Sequence, residues 1–190
     1  DAVAIGEQEA PFRLAQLAAQ SPQGLDFPWL SGGYTLTNGP LAGLPPAPPW
    51  KVFQRAGLRI GVVSAAGPEA FRFSPGKLCG YVLTDPAKQV AAFVERFGAS
   101  CDLVVVLSHQ GEEADRELAS RVKGIDLIVG GHSQSLIVPP IVTNGVILVQ
   151  AGKNGENLGV LALEKTEETD RTDETARETT DPFAVTRASG

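Results

Sequence analysis

The sequence predicts an α/β fold, a layer sandwich built on mixed sheets, and three observations carry this. Residues 103–107 and 125–129 are apolar runs bounded by turn residues, with a polar, helix-patterned stretch between them. Such runs read as buried parallel strands joined by a crossover helix. A second strand and helix, around 78–83 and 84–97, precede them. Tight turns at Ala56-Gly57 and Asn144-Gly145 add antiparallel hairpins at the flanks. Strand–helix alternation combined with hairpins gives a mixed sheet with helices layered on it.

In chain order, residues 1–5 read as a strand and 6–9 as a polar turn. Residues 11–19 have helical periodicity, with Pro11 in the first turn where proline is tolerated. Residues 26–34 are extended and broken at Gly32-Gly33. Residues 38–50, rich in Pro and Gly, read as a loop. Residues 51–55 and 58–64 form the first hairpin, 65–77 are irregular, and 78–83 form a short strand. Asp85 then caps a helix that starts with Pro86, buries Val90, Phe93 and Val94, and stops at Gly98. The helix after residue 111 runs to about 122 and turns Leu118 and Val122 inward. Strands are expected at 138–142 and 146–150 around the Asn144-Gly145 turn, and at 158–163. From residue 165 the chain is almost wholly charged residues and threonine, which reads as a solvated linker or tail. The expected organisation is therefore one domain over 1–164 and a charged tail over 165–190.

Composition bounds the function. At 190 residues with 43% hydrophobic content, a sizeable core is expected. A net charge of −6 without a basic run argues against a nucleic-acid partner. No apolar run reaches the ~18 residues of a membrane span. The chain has no methionine, which predicts that coding residues precede Asp1. The cysteines, Cys79 and Cys101, flank a predicted helix about 20 Å long. A disulfide needs Cα atoms within ~7 Å, so buried free thiols are expected and the redox compartment stays open.

Both central strands end at a histidine, His109 and His132, and these are the only two in the chain. Ligands of open α/β sheets bind outside the carboxyl ends of the strands, so both imidazoles stand where a site is expected. A core histidine is the plainer reading of either one alone; two so placed mark a candidate site. Ser108 and Ser133 neighbour them in sequence only, and successive strand residues face opposite sides, which disfavours a Ser–His nucleophile pair. Trp29, Trp50 and Phe53 read as core or loop anchors.

The run Val104-Val-Val-Leu-Ser-His109, followed by Gly130-Gly-His-Ser-Gln-Ser135, resembles two consecutive motifs of calcineurin-like metallophosphoesterases, in their 5′-nucleotidase-type branch. Asp1-Ala-Val-Ala-Ile-Gly6, Gly57-Leu-Arg-Ile-Gly-Val-Val63, Tyr81-Val-Leu-Thr-Asp-Pro86 and Gln150-Ala-Gly152 with Leu158-Gly159 resemble further stretches of that branch in the same order. The resemblance spans about residues 1–164. It implies a layered α/β/β/α sandwich, here incomplete at its N-terminus. It also implies hydrolysis of phosphate esters, such as those of nucleotides, by metal-bound hydroxide between two ions. The implied cofactor is a divalent metal, Zn, Mn or Fe; the implied partner is a small phosphorylated molecule, and the implied setting is periplasmic or secreted.

Carried over residue by residue, His109 and His132 match ligands of the second metal, and Glu7 stands where the family has an asparagine ligand. Gln8 stands where the family has its catalytic histidine, so no catalytic residue is assigned there. Gln134 stands where the family has a histidine ligand of the first metal, and its amide oxygen is a poorer ligand. The family's first two motifs fall upstream of Asp1. The expectation is a metal site that is impaired or altered, with the chain as it stands inactive. The alternative is a non-catalytic binding or assembly module on the same scaffold. Lys153 and Asn154 lie in a loop that can reach the family's substrate face, but a solvated loop is the plainer reading.

Overall fold

The computed structural model describes residues 2–7, 27–36, 48–72 and 81–163. The predicted helix at 11–19, Gln8, Cys79 and the charged tail at 165–190 lie outside them. In chain order the elements are β1 (Val3–Ala4), β2 (Trp29–Leu30), β3 (Tyr34–Leu36), β4 (Trp50–Arg55), β5 (Leu58–Ala65), β6 (Tyr81–Leu83), α1 (Pro86–Phe97), β7 (Leu103–Ser108), α2 (Glu112–Arg121), β8 (Leu127–Val129), β9 (Ile141–Thr143) and β10 (Val146–Val149). A 3-10 turn at Pro68–Phe71 follows β5.

Six strands form the central sheet in the order β4-β5-β7-β8-β10-β9. Its middle is parallel, from β5 through β7 and β8 to β10, and each edge is an antiparallel hairpin. The mixed sheet expected from the sequence is thus present. Two small pairs stand beside it: β1 parallel to β2, and β3 antiparallel to β6.

The core follows the strand alternation. Val63, Val104, Val106, Ile128 and Leu148 point to one face, where Ala87, Val90 and Phe93 of α1 and Leu118 and Ala119 of α2 cover them. Val62, Val105 and Leu127 point to the other face, beneath Leu30 of β2. Asp85 caps α1 by accepting the Ala87 N–H at 2.9 Å, which leaves one fewer unpaired donor at the helix start. Trp50 packs on Phe93 and Phe97 with ring centroids 5.9 and 6.0 Å away.

Several expectations change. Residues 158–163 form no strand. Leu158, Val160 and Leu163 are exposed by 82%, 72% and 46%, and no strand among the described residues pairs with this apolar run. The helix α1 ends at Phe97 with Gly98 as its C-cap, as expected, and Gly98, in right-handed geometry, opens a 3-10 turn over Gly98–Ser100. The first strand shortens to Val3–Ala4, and the strand expected at 138–142 begins only at Ile141. Cys101 is a free thiol, but only half-buried.

Candidate metal centre

Three chain segments end in one place. Ile5 is 2% exposed and its N–H donates to Leu30 O at 2.9 Å, which anchors the end of β1 and delivers Gly6-Glu7. The His109 N–H donates to Ala65 O at 2.8 Å, tying the residue after β7 to the end of β5. His132 follows β8 across Gly130-Gly131.

The His109 ring lies in a slot that only glycine permits. A methyl on Gly6 would stand 2.8–2.9 Å from three atoms of the ring, and one on Gly131 would stand 3.3 Å from its Nδ1. His132 and Gln134 have left-handed backbones, with φ of 69° and 58°, a conformation that side-chain-bearing residues seldom adopt. The loop thereby turns back over the end of the sheet.

Glu7 Oε2 is 2.5 Å from His109 Nε2 and 3.8 Å from His132 Nδ1. The two imidazoles meet edge to face with centroids 5.3 Å apart. One ligand atom from each of the three residues lies within 4.8 Å of the others. Glu7 is buried, at 8% exposure, and both histidines are half-buried. His109 Nε2 and Glu7 Oε2 share a hydrogen bond.

One carboxylate and two imidazoles are a donor set that divalent zinc uses and that suits Mn and Fe as well. Ligand atoms around such an ion, with bonds of about 2.0–2.2 Å, stand roughly 3 Å apart or more. The His109–Glu7 contact is shorter than that, so the pair must part slightly to admit an ion. With that adjustment the three residues fit a divalent cation.

The centre opens on a cleft of about 1170 Å³ that Glu7, His132 and Gln134 help to line. Five carboxylates (Glu7, Glu69, Glu112, Glu113 and Glu117) and two guanidinium groups (Arg72 and Arg116) face it. Arg116, with a hydrogen bond from Ser135, holds the Glu112 carboxyl below the usual carboxylate range. An anionic ligand meets repulsion from this wall unless a cation sits in the centre. Gln134 is exposed at the cleft, beside but outside the Glu7–His109–His132 group. Lys153 and Asn154 are exposed elsewhere and do not line it.

Sequence reasoning missed the polar groups behind the centre: Ser108, Gln110, Asp115 and Gln150 are all 5% exposed or less. One signal for Asp115 was present. It is spaced i, i+3, i+4 and i+7 with Leu118, Ala119 and Val122, on the apolar stripe of α2.

No protein-family model matches the chain. It is 30% identical over 188 residues to the 5′-nucleotidase of Rattus norvegicus, a match covering 86% of this chain and 32% of that protein. It is 31% identical over 84 residues to an uncharacterized metallophosphoesterase, YunD, of Bacillus subtilis, covering 44% and 18%. Among solved structures, a 5′-nucleotidase precursor from Thermus thermophilus is similar with a TM-score of 0.64 and 28% identity, over 80% of this chain and 33% of that one. The calcineurin-like phosphoesterase YfkN of Bacillus subtilis shares the fold, with a TM-score of 0.62 and 20% identity over 80% of this chain and 54% of that one. The chain spans about a third of the length of the 5′-nucleotidase it matches.

Proposed function

Because the chain belongs to the 5′-nucleotidase-type metallophosphoesterases, we propose that it holds a divalent cation on Glu7, His109 and His132 and acts on phosphate esters of small molecules such as nucleotides, with impaired or altered hydrolytic chemistry. The observation that carries this is the convergence of those three side chains at the carboxyl ends of β1, β7 and β8. A cation bound there supplies Lewis-acid charge for a phosphoryl oxygen.

The protein's own groups do the rest. Glu7 brings a full negative charge to the cation, which an amide at that position lacks. His109 packs between Gly6 and Gly131, which sets its ring beside Glu7. The acidic cleft wall repels an anion that arrives without its cation, so the cation binds first. Gln134 can donate a hydrogen bond to a phosphate oxygen, but an amide exchanges no proton near neutral pH. Neither Gln134 nor Gln8 can therefore assist the leaving group as a general acid, and slow turnover follows.

The test is metal content and Zn²⁺ or Mn²⁺ titration of the full chain, with phosphodiester and nucleotide-monoester assays. Expected are near-stoichiometric cation, an affinity loss of about 100-fold in His109→Ala, and slow turnover that the same variant abolishes. Wild-type protein with neither cation nor turnover would sink the reading. A non-catalytic binding module is the second reading, favoured by the contact in which Glu7 and His109 satisfy each other directly at 2.5 Å. Nucleotide binding with no turnover at any cation concentration is its signature.

A further inference from the structure

Behind the two histidines lies a carboxyl group that the metal reading does not use. Asp115 is 1% exposed and sits in the first turn of α2, on the side that packs against the sheet. Ser108 Oγ donates to its Oδ1, and Gln110 Nε2 donates to the same oxygen at 3.1 Å. Ser108 is the residue immediately before His109. The other oxygen, Oδ2, is buried and has no hydrogen-bond partner among the described residues. It lies against Gly130, where an added methyl would stand 2.8 Å from it. Gly130 comes two residues before His132, and its own N–H is committed to Val149 O at 2.8 Å.

One side chain thus grips the end of β7 through Oδ1 and abuts the turn after β8 through Oδ2. Filling the core does not explain it, since an apolar side chain would do that without a desolvated, half-satisfied carboxyl. We propose that Asp115 is a positioning residue for the candidate metal centre, holding the ends of β7 and β8 at the separation that lets His109 and His132 meet over Glu7. The metal part of this rests on the cation reading above; the arrangement of the two rings does not. Gly130 is then glycine because the carboxyl occupies the space of its side chain.

The variants are Asp115→Ala, Asp115→Asn and Ser108→Ala in the full chain. Three measurements are made on each: Zn²⁺ affinity by calorimetry, urea unfolding, and the imidazole ¹H–¹⁵N spectrum of the cation-free protein. The chain has only two histidines, so that spectrum reports the pair and nothing else. Expected for Asp115→Ala is a 10- to 100-fold loss of Zn²⁺ affinity, as for removal of groups that orient ligands, with both imidazole signals shifted. Asp115→Asn keeps an oxygen for Ser108 and Gln110 and stays within about threefold of wild type. Ser108→Ala falls between the two. A folded Asp115→Ala with wild-type affinity and unshifted imidazoles overturns the proposal, even if it is less stable. Should Asp115→Ala not fold, Ser108→Ala decides by the same two readouts. Wild-type protein that binds no Zn²⁺ removes the cation reading alone, and the imidazole spectra still decide the positioning role.

Discussion

Where α1 and α2 cover the central sheet, Val63, Val104, Val106 and Ile128 are 3% exposed or less, and their neighbours Val90, Phe93, Leu118 and Ala119 are apolar too. At the carboxyl ends of the same strands the composition inverts. Of the six buried polar side chains among the described residues, Glu7, Ser64, Ser108, Gln110 and Gln150 lie at or just beyond a strand end, and Asp115, in the first turn of α2, is hydrogen-bonded to Ser108 and Gln110 there. With them come a slot that only glycine fits and two left-handed backbones. The first region gains free energy roughly in proportion to apolar area. The second gives some of it up for a defined arrangement of ligand atoms. Substitutions should separate the two: loss of stability with intact geometry in one, and loss of geometry with modest change in stability in the other.

The largest effect is expected on the covered face. Phe93 is fully buried, packs on Trp50 and Phe97, and touches the space above Gly61. Phe93→Ala should cost about 3–5 kcal/mol in urea unfolding, while Zn²⁺ affinity of the protein that remains folded stays near wild type. A matching loss of affinity would join the two regions into one cooperative unit.

The next tests the polar end. Burial pushes the Asp115 carboxyl up to about 6 against the donors Ser108 and Gln110, with Glu112 adding to the rise. Because the folded value lies above the unfolded one, the proton stabilises the fold. The penalty for charging Asp115 is fully present above about pH 6 and is relieved as the pH falls toward 4. That amounts to about 3 kcal/mol on a shift of roughly two units. Urea midpoints of wild type and Asp115→Asn from pH 8 to pH 4 should therefore converge or cross, with wild type gaining on the variant as acid is added. Parallel curves would mean that the buried carboxyl carries no such cost.

The smallest effect lies outside both regions. Asp85 caps α1 and also pairs with Arg121 of α2 at 3.1 Å on the surface. Asp85→Ala should lower stability by about 1 kcal/mol, the usual worth of a cap, and leave cation affinity unchanged.

The covered face was legible because it is periodic. The run at 103–107, the Pro86 start of α1 and both hairpin turns carry their signal within a few neighbouring residues. The histidines were legible as strand-end residues, and Glu7 only through a resemblance that aligned it with them. What could not be read is whatever depends on distant contacts. The spacing of Asp115 with Leu118, Ala119 and Val122 marks it as inward-facing, but its partners Ser108 and Gly130 are brought to it only by the sheet. Residues 158–163 are an apolar run that reads as a strand, yet no neighbour among the described residues completes a ladder with them.

The left-handed backbone at His132 and Gln134 governs which replacements are informative there. Alanine at position 132 removes the imidazole but keeps a β-carbon where the backbone resists one; glycine removes the imidazole and relieves about 1 kcal/mol of strain. The difference between His132→Ala and His132→Gly thus isolates backbone cost from ligand loss. It also sets a direction for drift: in a lineage that no longer needs the imidazole, glycine or asparagine is the downhill substitution at both positions. The loop would then outlive its chemistry, and gain stability as it did so.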